Sequence, residues 1–94
     1  MKTETILGQR IRCYDNGGTD KGGTIDRFTV VYMDEPIGSF CFEAVGMNGS
    51  PFHPQGFGQH VTAMPGKHLG KRIAFADLPE DCRKLVMQDL TPTQ

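Results

Sequence analysis

The run Ile25-Asp26-Arg27-Phe28-Thr29-Val30-Val31-Tyr32-Met33 most limits what this chain can become. It is rich in β-branched and aromatic residues, which suit a pleated, half-buried backbone and disfavour a helix. Side chains alternate across a strand, so Phe28, Val30 and Tyr32 share one face, and Arg27, Thr29, Val31 and Met33 the other. Asp34-Glu35-Pro36-Ile37-Gly38 reads as a turn. Residues 38–45 then alternate again, with Phe40, Phe42 and Ala44 opposite Ser39, Cys41 and Glu43. Two such runs across a short turn predict an antiparallel hairpin that points Phe40 and Phe42 into the core.

The rest of the chain is placed around that hairpin. Residues 10–14 alternate charge with apolar side chains, as in a short half-exposed strand. Residues 15–24, with Gly17, Gly18, Gly22 and Gly23, read as a loop. Residues 46–70 carry no periodicity, apart from short strands expected near 59–63 and, beyond the segment, near 71–75. Met64-Pro65-Gly66-Lys67 has the order of a type II turn. A helix is expected from about 78 to 90. Asp77 and Glu80 have capping-box spacing, Pro79 suits the first turn, and Pro92 marks the end. Cys82, Leu85, Val86 and Leu90 make its apolar stripe, expected to pack on the Phe40/Phe42 face. The fold predicted is α+β: a small antiparallel sheet of three to five strands with one C-terminal helix packed on it.

Ninety-four residues with 37% hydrophobic content and 12 glycines make one domain, residues 1–94, with a small core. Such chains often complete their burial by association, so a homo-oligomer is expected. Cys13, Cys41 and Cys82 are odd in number and widely spaced, which fits reduced thiols and no disulfide framework. The first residues lack the apolar stretch of a secretory signal, and no apolar run reaches the roughly 20 residues of a membrane span.

Charge supplies the functional clue. Residues 44–76 contain no Asp and no Glu, although the chain holds 11 acids; they contain Lys67, Lys71, Arg72 and all three histidines, His53, His60 and His68. Six glycines and three prolines fall there too. Acid-free backbone with basic side chains suits an anion. Three segments carry candidate ligands. In residues 52–60, Gly56 and Gly58 allow close backbone approach, His53, Gln55, Gln59 and His60 offer hydrogen bonds, and Phe57 offers a stacking surface; a packed surface loop plugged by Phe52 and Phe57 is the plainer reading. In residues 65–72, His68, Lys71 and Arg72 stand among glycines without the spacing of a phosphate-binding P-loop; a solvated basic turn is the plainer reading. In residues 17–27, paired glycines precede Arg27, and a loop held by an Asp26–Arg27 surface network is the plainer reading.

The histidines have six and seven residues between them, with no HxxxH or HExxH spacing, and no metal or other cofactor is expected. No acid–base pair is readable within the acid-free window, so an enzyme is the weaker reading; Asp26 and Glu43 are the acids seen as able to fold back onto a histidine.

The segments 22–32 (GGTIDRFTVVY), 51–59 (PFHPQGFGQ) and 68–73 (HLGKRI), with Leu78-Pro79, resemble a family of small, uncharacterised bacteriophage-encoded proteins across residues 10–90. The resemblance implies a phage or prophage origin and action in the host bacterial cytoplasm, and carries over no catalytic residue. The expected function is a non-enzymatic phage accessory protein that binds an anionic small molecule of nucleotide type, perhaps a host immune signal that it sequesters. Arg27, Lys71 and Arg72 would hold phosphate; His53, Gln55, Gln59, His60 and His68 would hydrogen-bond sugar or base; Phe57 would stack. The alternative is a protein–protein interaction module that inhibits a host protein. The net charge of −1 argues against a general nucleic-acid binder.

Overall fold

The computed structural model describes residues 3–18, 22, 26–49, 52 and 58–91. Six strands form one antiparallel sheet: β1 (Glu4–Ile6), β2 (Gln9–Asp15), β3 (Phe28–Ile37), β4 (Cys41–Met47), β5 (Gly58–Ala63) and β6 (Lys71–Ile73). One helix, α1 (Glu80–Leu90), follows. The α+β architecture therefore stands, with a fuller sheet than the sequence suggested.

β1 to β5 are ordered as a meander. β1 and β6 lie end to end along the outer edge of β2: β1 pairs with residues 9–11 of β2, and β6 with residues 13–15. Ala63, the last residue of β5, pairs with Phe42 at the opposite edge. Residues 64–70 must therefore cross one face of the sheet to reach β6, and they form a strap over it.

The two faces differ as the alternation of β3 dictates. Phe28, Val30 and Tyr32 join Ile11, Cys13, Val45 and Met47 beneath Leu78, Cys82 and Val86, and this helix-covered face is the main core. Val31, Tyr14, Ala44 and Ala63 form a smaller cluster on the strap-covered face, with Leu69, Phe42, Met33 and Val61 packed against it. Burial of the helix stripe removes apolar surface worth roughly 25 cal/mol per Å². The Cys82 thiol also donates to the Asn48 carbonyl at 3.1 Å, tying α1 to the end of β4.

Several local expectations are corrected. Phe40 does not face the core: it sits in the turn, 73% exposed. Phe42 packs on the strap side, so α1 covers the Phe28/Val30/Tyr32 face and not a Phe40/Phe42 face. β3 runs through Asp34–Ile37, and the expected turn becomes strand with a register shift between Val31 and Pro36. That irregularity carries the extra residues that the sequence pattern read as a turn.

Gly66 has φ 166°, extended backbone, so 64–67 is not a type II turn. Asp77 does not cap α1: its carboxylate accepts the Ala74 N–H at 3.1 Å and closes the 3-10 turn Phe75–Asp77. Pro79, not Asp77, is the helix N-cap residue, with no side-chain cap. Pro92 lies outside the described residues.

Candidate functional site

The strap creates the larger cleft. It spans about 450 Å³ between the crossing chain and the sheet, lined by Asn16, Asp26, Thr29, Thr62, His68 and Leu69 among others. Its floor is low because small residues meet there. Gly46 of β4 lies under the Asp26 side chain, and a Cβ at that position would stand 3.0 Å from the Asp26 carboxylate. Asn16 fixes the rim: its amide donates to the Asp26 carbonyl at 2.8 Å and its oxygen accepts the Gly18 N–H at 2.8 Å. Asp15 likewise accepts the Gly17 N–H at 2.8 Å. Two successive Asx turns thus start the glycine loop, with Gly17 and Gly18 at positive φ.

The basic residues around this end of the sheet are largely engaged. Arg27 donates to Asp15 at 3.0 and 3.3 Å and lies 5.0 Å over the Phe28 ring. It pairs with Asp15, not with Asp26 as the plainer sequence reading had it. Burial pulls the Asp15 carboxyl upward, but Arg27, the Gly17 N–H and the charge of Lys71 outweigh it, so the net shift is downward. Lys71 pairs in the strand ladder with Asp15, and Arg72 with Tyr14. The Arg72 guanidinium lies 5.6 Å from the Tyr14 ring, on the strap face. His68 is exposed on the strap, with its ring against Gly66.

Segments 17–27 and 65–72 thus meet at one cleft, through Gly22 and Asp26 from the first and His68 and Leu69 from the second, with Asn16 just before the first. Gln59 pairs in register with Gly46, beside the same floor. His53, Gln55 and Phe57 lie outside the described residues. His60 goes elsewhere. It is opposite Val45 on the helix side, where its Nε2 is 2.6 Å from Asp89 Oδ1.

That pairing was not legible. The carboxylate that meets a histidine is Asp89, 29 residues away on α1, rather than Asp26 or Glu43. The signal was present in the helix: Asp89 follows Val86 by three positions and Leu85 by four, which puts it beside the buried stripe. A second cleft, about 250 Å³, opens beside this pair and is lined by Gln9, Tyr32, Glu35, Glu43, His60 and Asp89. Cys13 and Cys82 are not activated nucleophiles, since burial pushes their thiols up to about 12 and about 11. No described helix is long and apolar enough to cross a membrane. No family model, curated protein or solved structure matches the chain.

Proposed function

We propose that the chain is a non-enzymatic binder of an anionic small molecule of nucleotide type, seated in the cleft under the strap. The supporting observation is convergence: two segments some 40 residues apart, each flagged by its glycines and polar side chains, line one cavity of about 450 Å³. That volume suits a small ligand. Asn16, Thr29 and Asp26 offer the mixed donors and acceptors that a base or sugar edge needs. Arg72 supplies positive charge on the strap face and His68 a ring nitrogen in the cleft, while Lys71 pairs in register with Asp15 on the helix side and Arg27 is held by Asp15. The resemblance to phage proteins makes a host immune nucleotide a reasonable cargo.

The test is calorimetric titration with a mononucleotide and a cyclic dinucleotide against the wild-type chain and the Arg72→Glu variant. The reading expects one saturable site per chain that Arg72→Glu weakens at least tenfold. Unchanged affinity in Arg72→Glu and in His68→Ala would sink it.

A second reading, an interaction module for a host protein, rests on a different observation. Leu7, Ile37, Phe40 and Met64 are all exposed, and the topology carries all four to the end of the sheet where β1 turns into β2 and β3 into β4. Leu7 even occupies a positive φ of 49°, a strained setting for an apolar residue. A stoichiometric host partner lost on Phe40→Ser and Leu7→Asn would favour that reading.

A further inference from the structure

We propose that the helix-side cleft at the C-terminal end of α1 binds a small organic cation carrying an ammonium or guanidinium group. Its wall brings three carboxylates from three elements to one place: Glu35 from β3, Glu43 from β4 and Asp89 from α1. No lysine or arginine is among its described lining residues. Like charges gathered this way oppose folding unless a counter-charge joins them. The one described ion pair there is Asp89 with His60, whose side chain is 67% exposed.

The second observation is independent of charge. Tyr32 is 4% exposed, and its hydroxyl makes no hydrogen bond with any described residue. Asp89 lies beside it, near enough that, after burial itself, its carboxylate is the main influence holding the phenol un-ionised; yet the hydroxyl has no bond of acceptable geometry. Gln9 repeats the pattern. Its Nε2 donates to Glu35 at 3.2 Å, which fixes the amide orientation and leaves Oε1 buried without a described partner. A buried polar atom left without a partner is costly, and here two such atoms belong to side chains of one cleft. Gln9 Oε1 accepts, the Tyr32 hydroxyl can accept as well as donate, and the cleft is negative, so a cation rich in N–H donors suits it.

Ammonium brings three donors and guanidinium five. A bare metal ion fits less well, because no three His, Cys, Asp or Glu side chains among the described residues are placed to hold one. A short polyamine or an alkyl guanidinium, by contrast, can bond several separate carboxylates at once. The site stands on the opposite face of the sheet from the strap cleft, so it does not depend on the reading given to that cleft.

The experiment is a titration of the full chain with agmatine and with putrescine, followed by calorimetry and amide NMR shifts. One saturable equivalent is expected, with shifts at Gln9, Tyr32, Glu43 and Asp89. Glu43→Gln should weaken agmatine at least tenfold. Glu35→Gln, on an exposed side chain, should weaken it severalfold, and Tyr32→Phe about tenfold with the fold intact. Lys71→Glu, beside Asp15 at the far end of β2 from Gln9, should leave it unchanged. Absence of saturable binding by either cation overturns the proposal. So does affinity that is unchanged in Glu35→Gln and Glu43→Gln, or stoichiometric displacement of agmatine by magnesium at constant ionic strength.

Discussion

Gly70 shows how closely single residues set this architecture. It has φ +107°, and a Cβ there would stand 2.4 Å from the Asp15 carbonyl oxygen and 2.6 Å from the Asn16 Cα. No side chain can yield, because both neighbours are backbone. Gly70→Ala should therefore cost about 3 kcal/mol in urea unfolding, from strain plus the lost docking of β6. A loss under about 1 kcal/mol would mean that the strap reaches β6 by another route. Asp15 gives a pH test. Its folded carboxyl is shifted down, so its contribution is full above the ordinary value of 3.8 and is lost as pH falls through the folded value. The pair is partly exposed, so the contribution is at most about 1 kcal/mol. Asp15→Asn should lower stability near pH 7 by that amount, and the gap should close below about pH 4.

At the scale of elements, the alternation in 28–33 was readable because a strand buried on both faces still has to sort its side chains by parity. The structure divides Phe28, Val30 and Tyr32 from Val31 as the sequence divides them. Which face the helix would take was not readable. Phe40 and Phe42 were the largest side chains of the next strand, but the irregularity before Pro36 moved the turn to residues 38–40 and left Phe40 in solvent. β1 was missed because three residues carry too little pattern to register; its place depends on pairing with β2 and on the Glu4 carboxylate accepting the Phe75 N–H at 2.6 Å. The helix stripe, by contrast, was legible residue by residue, and it gives a direct test. Val86, on the sheet-facing side of α1, is fully buried. Val86→Ala should cost about 2 kcal/mol in chemical unfolding, while Lys84→Ala, in an exposed i,i+4 pair with Glu80, should cost about 0.5 kcal/mol or less. Equal costs would mean that α1 is not held by its apolar stripe.

At the scale of the molecule, the sheet carries a cleft under the strap and clefts on the helix side. The acid-free window held His68 and Arg72, which lie on the strap face, and Lys71, which pairs with Asp15 on the other. It misassigned His60, since a window along the chain cannot see that β5 turns alternate residues to opposite faces and brings His60 to Asp89. The site under the strap is also more polar and less purely basic than the window implied, because Asp26, from outside the window, lines it.

The measurement that tests the central claim most directly is an amide NMR titration of the wild-type chain with a cyclic dinucleotide. The account predicts saturable shifts confined to Asn16, Thr29, Gly46, Thr62, His68 and Leu69, around the strap cleft, with Tyr32 and Asp89 on the opposite face unmoved. Shifts that cluster instead at Leu7, Ile37 and Phe40, or no saturable shift at all, would contradict it.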